Sequence, residues 1–217
     1  MTTVVQTSLF DLPADDAPPG GEHGAPGPLA GLVTRQVLGR GAWVDLLPGW
    51  LAGDDTLLDT LLTQVPWQAG RRQMYERVVD VPRLLCFYDE QDALPHPALL
   101  QARRALDAHY EPESGERFTT AGLCLYRDGR DSVAWHGDTI GRGRAEDTMV
   151  AILSLGSPRH LVLRPRGGGT TIRHQLGHGD LLVMGGSCQR TWEHAIPKTS
   201  RAVGPRVSVQ FRPHGVR

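Results

Sequence analysis

The sequence predicts a mainly β protein with flanking helices, built on an antiparallel double-stranded β-helix, or jelly-roll, core. The first observation is a series of short β-rich runs that begins at Phe118 and is separated by Gly, Pro and Asp clusters. These runs are FTTAGLCLY, TMVAILSL, HLVLRP, TTIRHQL, DLLVMGG, RTWEHAI and RVSVQFR. Short strands that follow one another without intervening helices are typical of a sandwich or barrel. We therefore place the jelly-roll at about residues 118–213.

The second observation is a pair of amphipathic segments upstream of the strands. Asp54 and Asp55 precede apolar residues at helical spacing over residues 57–65, which predicts a helix with an acidic N-cap. A second helix is expected from about Pro97 to His109, with its leucines turned inward. Both helices should pack against one face of a sheet.

The N-terminal stretch has a different composition from the rest of the chain. Residues 11–29 are dense in Pro, Gly and Asp and carry too little apolar surface to fold. We predict a flexible arm over residues 1–30 and a single folded domain over residues 31–217.

The overall composition is that of a soluble globular protein, with 40% hydrophobic and 22% charged residues among 217. The formal net charge of -1 gives no argument for a nucleic-acid partner. Of the 23 basic residues only Lys198 is a lysine. This arginine bias fits either a phosphate-binding surface or GC-rich codon usage.

The cysteines and the absence of apolar runs restrict the class of protein further. Cys86, Cys124 and Cys188 are widely spaced and include no Cys-x-x-Cys pair, which argues against a disulfide framework or a zinc knuckle. No signal sequence and no run of membrane-spanning length is visible. We expect a cytoplasmic monomer with no membrane partner.

One candidate metal site stands out in the sequence. His136 and Asp138 are two residues apart, so on a strand both side chains would point to the same face. His194 closes a later predicted strand and could supply a third ligand. Two imidazoles and one carboxylate on one face of an octahedral ion leave positions open for a bidentate 2-oxo acid and dioxygen. Alone, the His-x-Asp pair could equally lie in an exposed turn.

Two arginines strengthen this interpretation. Arg206 and Arg212 lie on one predicted strand, PRVSVQFR, with their side chains on the same face. Inward arginines are costly without anionic partners, and a dicarboxylate offers two of them. The alternative is that both arginines pair with protein carboxylates at the rim.

The motifs LYRDGRDSVAWHGD, LSLGSPRHLVLRP, HGDLLVMGG, WEHAIP and PRVSVQFR, taken in order, resemble the AlkB family of Fe(II)- and 2-oxoglutarate-dependent dioxygenases. The resemblance covers roughly residues 70–213. It implies that His136, Asp138 and His194 bind iron.

The resemblance also implies the cofactor contacts and the reaction. Arg206, helped by Tyr126, would hold the far carboxylate of 2-oxoglutarate, and Arg212 would lie near its metal-chelating end. With Fe(II), O2 and 2-oxoglutarate, the family oxidises an N-alkyl carbon of a base, which then leaves as an aldehyde. Succinate and carbon dioxide are the co-products.

Four positions depart from the family pattern. Cys124 and Ser208 stand where Asn is common, and both are expected to line the 2-oxoglutarate site. Ile140 stands where some members carry an acid that reads the base, and Met184 where a Trp sometimes lines the pocket. Cofactor binding looks retained, whereas the base preference is left open.

An enzyme that acts on a base must take a flipped or single-stranded nucleotide into its pocket, between aromatic walls and cationic arms. In the family a lid covers the substrate, and here the lid would span about residues 66–92. We expect Tyr75 to stack on the base, with Trp67, Arg83 and Tyr88 as further contacts. Each aromatic could instead pack in the core.

Three functions compete at this point. The first is oxidative dealkylation of bases in alkylated DNA or RNA. The second is a 2-oxoglutarate oxygenase that hydroxylates a protein or a small molecule, which Ile140 and the near-zero net charge favour. The third is a non-catalytic jelly-roll binding module, which would not need the metal triad.

A short motif in the arm predicts a further partner. Gln6-Thr7-Ser8-Leu9-Phe10 resembles the peptide by which bacterial repair proteins dock on the replicative sliding clamp. Leu9 and Phe10 would enter an apolar pocket while Gln6 hydrogen-bonds at its edge. The alternatives are a chance match or docking on the chain's own domain.

Overall fold

The computed structural model describes residues 25–51, 55–74 and 77–216. The strands are β1 (Thr34–Gly39), β2 (Ala42–Leu47), β3 (Gln68–Met74), β4 (Arg77–Tyr88), β5 (Phe118–Tyr126), β6 (Val133–His136), β7 (Val150–Gly156), β8 (Arg159–Pro165), β9 (Ile172–Leu176), β10 (Asp180–Gly186), β11 (Trp192–Ile196) and β12 (Arg206–Pro213). The helices are α1 (Asp55–Gln64), α2 (Pro97–Ser114) and α3 (Cys188–Thr191). The clamp-motif residues Gln6, Leu9 and Phe10, and the base-contact candidate Tyr75, lie outside the described residues, so their expected roles stay predictions.

The strands form two sheets in which every pairing is antiparallel. The larger sheet has the order β1-β2-β10-β7-β12-β5-β4-β3, and the smaller has the order β6-β11-β8-β9. Apolar side chains from both sheets pack together in one buried cluster, which includes Ile152, Leu163 and Met184. The arrangement confirms the predicted jelly-roll core with flanking helices.

Strand β12 turns one face toward the apolar core and the other toward the polar site. Val207, Val209 and Phe211 belong to the apolar cluster that the sheet shares with the helices. Arg206 and Ser208 alternate with them and project toward the opposite face, because successive side chains of a strand point to opposite sides. The two faces of this strand therefore separate the structural core from the polar site.

The helices cover the outer face of the larger sheet, as the sequence predicts. Leu57 and Leu61 of α1 and Leu99 and Leu106 of α2 are fully buried in the same cluster. The prediction that α2 ends near His109 is too short, because the helix continues to Ser114. It ends where Gly115 adopts a positive φ of 70° and its N–H bonds to Glu111 O, a helix stop that needs no side chain.

Four strands precede the region in which the sequence patterns indicate strands. The residues of β1 are almost all exposed, so the strand carries no apolar alternation. Strand β4 contains Pro82, which lies at the irregularity of pairing between Ala69 and Arg71 of β3. A proline, which has no backbone N–H to donate to a neighbouring strand, is tolerated at such an irregularity.

Within the described residues, no helix is both long and apolar enough to span a membrane.

Candidate metal centre and adjoining cavity

Two histidines face each other across neighbouring strands of the smaller sheet. His136 at the end of β6 and His194 within β11 are directly paired in the antiparallel register, with ring centroids 4.2 Å apart. The Nδ1 of His136 lies 2.8 Å from Ala134 O. Because a carbonyl only accepts, Nδ1 carries the proton and Nε2 keeps its lone pair for a metal.

Asp138 reaches the same point from a turn rather than from a strand. The sequence argument put His136 and Asp138 together on one strand, which is wrong, because β6 ends at His136. The chain turns at Gly137, where Thr139 N donates to Gly137 O and a Cβ would lie 2.4 Å from Gln189 O. Asp138 N then donates to Gln189 Oε1 at 2.9 Å, which fixes the turn.

The Asp138 carboxylate is held by an arginine. Arg212 Nε and Nη2 lie 3.0 Å and 2.9 Å from Asp138 Oδ2, while Oδ1 lies 3.9 Å from His136 Nε2. Burial raises the pKa of Asp138, but Arg212 and the two histidines outweigh it and lower this pKa to about 2. Burial and the charge of His136 lower the pKa of His194 to about 3. Above pH 4, Asp138 is therefore anionic and His194 neutral, the protonation states that a metal requires.

The three side chains form a compact donor set. One ligand atom from each of His136, Asp138 and His194 lies within 4.8 Å of the other two. Among the described residues this is the one cluster of three such groups found. Two imidazoles and one carboxylate suit Fe(II) and leave half of its coordination positions for other ligands.

Arg206 lies deep in the fold without a carboxylate partner. It is 1% exposed, and its Nε donates to Ser154 Oγ at 2.9 Å. Its Nη1 and Nη2 are buried and have no hydrogen-bond partner among the described residues. The guanidinium lies 5.3 Å from the Tyr126 ring centroid, and burial lowers its pKa. A buried, unpaired guanidinium fits a site that receives a carboxylate from outside the chain.

A cavity of about 400 Å³ adjoins the triad and Tyr126. Its wall includes His136, Asp138, His194 and Arg212, together with Tyr126 and Leu161. The remaining lining residues are Gln68, Arg83, Leu85, Cys86, Phe87, Gly122, Leu123, Cys124, Val133, Ile140, Val150, Ile152, Ile196, Ser208 and Gln210. The donor set and the unpaired guanidinium beside this cavity together fit a metal ion and an acidic co-substrate.

Comparison with known families decides between the chemistries that such a site allows. Residues 45–212 match the family model described as the 2OG-Fe(II) oxygenase superfamily, which covers most of the chain and includes the metal-binding triad, Arg206 and the cavity residues. The chain belongs to the 2OG-Fe(II) oxygenase superfamily. The cofactors of this oxygenase are accordingly Fe(II), 2-oxoglutarate and O2.

Curated relatives confirm that the oxygenase is of the AlkB type. It is 30% identical over 190 residues to alpha-ketoglutarate-dependent dioxygenase alkB homolog 3 of Homo sapiens, covering 78% of this chain and 65% of the relative. The chain thus spans about two thirds of that relative's length. It is 27% identical over 231 residues to DNA oxidative demethylase ALKBH2 of Mus musculus, covering 96% of this chain and 95% of the relative.

Solved structures support the fold of the oxygenase. A prolyl hydroxylase from Trichoplax adhaerens, in complex with a peptide fragment of hypoxia inducible factor, matches with a TM-score of 0.58 and 12% identity. The match covers 78% of this chain and 82% of the hydroxylase. At this identity the likeness concerns the fold alone.

The predicted cofactor contacts lie together around the cavity. Tyr126, Cys124, Ser208 and Arg212 line it, and Arg206 lies over the Tyr126 ring. The alternative that both arginines pair with protein carboxylates at the rim holds only for Arg212, whose partner Asp138 is itself part of the triad.

The predicted substrate contacts divide into two groups. Arg83 and Ile140 line the cavity, and Ile140 is 69% exposed. Trp67 and Tyr88 instead pack on the core beneath the helices, and the Trp67 Nε1 donates to Leu61 O of α1 at 3.0 Å. Met184 is fully buried between the sheets. None of the three lines the cavity, so their expected base contacts are not supported. Trp67 and Tyr88 pack toward the helices, whereas Met184 is buried beside Val150 in the cluster between the sheets.

The cavity residues that sequence reasoning missed include one aromatic and two amide side chains. Phe87, which is 43% exposed, lies on the face of β4 that also carries Arg83 and Leu85. Gln68 and Gln210 supply amides to the lining. Strand alternation from Arg83 could have identified Phe87 if β4 had been recognised as a strand.

Proposed function

We propose that this oxygenase removes alkyl groups from the bases of DNA by oxidation, using Fe(II), O2 and 2-oxoglutarate. The similarity to a DNA oxidative demethylase over 96% of this chain and 95% of the relative is the observation that carries the proposal. It extends over the whole cavity and its rim. RNA bases remain the second substrate of the same class.

The residues of the chain divide the work of binding. His136, Asp138 and His194 hold the iron, and Arg212 keeps Asp138 charged and oriented through two contacts to Oδ2. The unpaired Nη1 and Nη2 of Arg206 receive a carboxylate of 2-oxoglutarate. Bound iron supplies the oxidation of the alkyl carbon, and the protein's part is to hold co-substrate and base in line.

The cavity mouth offers an aromatic and a cationic contact to a nucleotide. Phe87 presents a partly exposed ring to the cavity. Arg83 reaches Ser132 O through Nη1 at 3.4 Å, while its Nε is buried and has no partner among the described residues. A ring for stacking and a cation for phosphate are the two features that single-stranded nucleic acid requires. Tyr75, expected from sequence to stack on the base, remains a prediction.

The alternative substrate class is a protein or a small molecule. Ile140 stands at the rim in place of an acidic side chain, and it borders a second cavity of about 750 Å³. That cavity carries Asp89, Glu90 and Asp92, which would repel a phosphate backbone. We therefore expect a phosphate backbone to contact Arg83 of the first cavity rather than this acidic surface.

A turnover assay with alkylated oligonucleotides tests the proposal. The anaerobic Fe(II) protein is loaded with 2-oxoglutarate and exposed to air with oligonucleotides that carry 1-methyladenine or 3-methylcytosine. We expect repaired bases to be found by mass spectrometry, and none with the His136→Ala variant. Consumption of 2-oxoglutarate that is unaffected by any alkylated oligonucleotide, but rises with a peptide or a small-molecule mixture, would favour the alternative class.

A further inference from the structure

Three polar side chains on one wall of the cavity lie on adjacent strands. Cys124 of β5 is directly opposite Ser208 of β12 in the antiparallel register. Gln210 follows two residues after Ser208 and shares its face of β12. All three line the cavity, and Ser208 and Gln210 lie between Arg206 and Arg212 along β12.

These side chains form one hydrogen-bonded chain with a defined direction. Gln210 Nε2 lies 3.2 Å from Ser208 O and 2.8 Å from Ser208 Oγ. A carbonyl oxygen only accepts, so the amide nitrogen must be the atom that faces Ser208. The Gln210 Oε1 then faces Cys124, whose thiol donates to it at 3.6 Å.

The direction of these hydrogen bonds decides whether the Ser208 hydroxyl can donate to a ligand. Its hydroxyl oxygen accepts from Gln210, so its own proton points elsewhere, and a hydroxyl carries one donor. Ser208 is buried and lines the cavity, which leaves the cavity as the direction for that proton. The carboxylate and oxo oxygens of a 2-oxo dicarboxylate are acceptors, so the polarity of this chain matches such a ligand.

Gly122 makes room for the arrangement. It pairs with Gln210 across β5 and β12, and its missing side chain leaves space for two long ones. A Cβ at this position would lie 2.8 Å from Arg212 Nη1 and 3.3 Å from Gln210 Oε1. The β5 wall therefore stays flat where Gln210 and Arg212 lie across it.

We infer that Gln210 is a positioning residue that fixes the Ser208 hydroxyl as a hydrogen-bond donor to 2-oxoglutarate, with the Cys124 thiol holding the Gln210 amide in place. The inference concerns the co-substrate and does not depend on which substrate is oxidised. Failure of the nucleic-acid proposal would therefore leave it untouched.

The test is a double-mutant cycle on 2-oxoglutarate affinity, measured by calorimetry on the anaerobic Fe(II)-loaded full chain. Gln210→Met should weaken binding about tenfold, equal to about 1.4 kcal/mol. Ser208→Ala should do the same, and the double variant should bind about as weakly as either single one, because each change loses the same hydrogen bond from Ser208 to 2-oxoglutarate. In turnover, Gln210→Met should raise KM for 2-oxoglutarate and leave kcat near the wild-type value.

Gln175→Met, on the exposed position of β9, is the matched control and should bind like wild type. If Gln210→Met fails to fold, Gln210→Val, which suits a strand, replaces it in the cycle. Unchanged affinity in the Gln210 variant would overturn the inference. So would a double variant whose loss equals the product of the two single losses, because Gln210 and Ser208 would then act independently.

Discussion

Arg212 donates through both Nε and Nη2 to a single oxygen of Asp138, Oδ2, and leaves Oδ1 facing His136. The contact joins β12 to the turn after β6, two segments 74 residues apart in the chain. One carboxylate oxygen is thereby reserved for the protein and the other for a metal. The orientation of Asp138 toward the two histidines is thus held by a contact within the protein.

The first prediction concerns the donor set itself. His136→Ala or Asp138→Ala should abolish turnover and leave the fold intact, because a three-ligand site has no spare donor. Turnover and circular dichroism measured on both variants check this. Retention of more than a few per cent of iron-dependent activity in both would remove these residues from the site.

The second prediction separates binding from stability at Arg206. Arg206→Met should weaken 2-oxoglutarate by about 2–4 kcal/mol, because a charge-assisted contact in a dry pocket is lost. The same change should not lower the melting temperature of the ligand-free protein, because it removes a buried guanidinium whose Nη1 and Nη2 have no partner there. Calorimetry and thermal melting give the two readings, with the exposed Arg173→Met as control.

An unchanged 2-oxoglutarate affinity in Arg206→Met would end the assignment of this residue. A large fall in melting temperature with unchanged affinity would make Arg206 a purely structural residue.

The third prediction contrasts two aromatic residues. Phe87→Ala should hurt oligonucleotide turnover by about 1–3 kcal/mol of lost stacking and leave uncoupled 2-oxoglutarate turnover intact. Trp67→Ala should instead lower the free energy of unfolding by about 3 kcal/mol, because its ring packs on the helix core. Chemical denaturation and steady-state kinetics distinguish the two. If both activities fall together in Phe87→Ala while stability also falls, Phe87 is structural.

The fourth prediction follows from the pKa of His194, which burial lowers from 6.5 to about 3. The folded state favours the neutral ring, so the unfolded state binds the proton more readily between these two values. The free energy of unfolding of the metal-free protein should therefore fall as the pH falls from 6.5 toward 3. His194→Asn should make the free energy of unfolding depend less on pH in this range. A pH dependence unchanged by the substitution would contradict the lowered pKa of His194.

The sequence predicted the parts of the fold whose signal is local. FTTAGLCLY and DLLVMGG coincide with β5 and β10, because both runs are apolar and end at turn residues. Strands β1 to β4 were not predicted from the sequence. In β1 the exposed side chains, and in β4 Pro82, remove the apolar alternation that marks a strand. The second helix was cut short because its length depends on Gly115 as the stop.

The residues of the candidate site were likewise predicted only in part. The histidines, Asp138 and the two arginines were found because their spacing carries the chemistry. Trp67, Tyr88 and Met184 were assigned to the substrate from their place in the family-like lid and pocket, and such a placement does not say which side chains reach the cavity. Phe87 was missed because the face of β4 on which it lies is known only once β4 is recognised as a strand.

The most direct test of the central claim is the stoichiometry of the coupled reaction. Succinate, aldehyde and repaired base are counted in single-turnover mixtures of the Fe(II) protein, 2-oxoglutarate, O2 and an oligonucleotide with one 3-methylcytosine. We expect equal amounts of all three in the wild type, and succinate in excess of repaired base in Phe87→Ala. Succinate formed without any repaired base or aldehyde in the wild-type protein would contradict oxidative dealkylation of DNA by this chain.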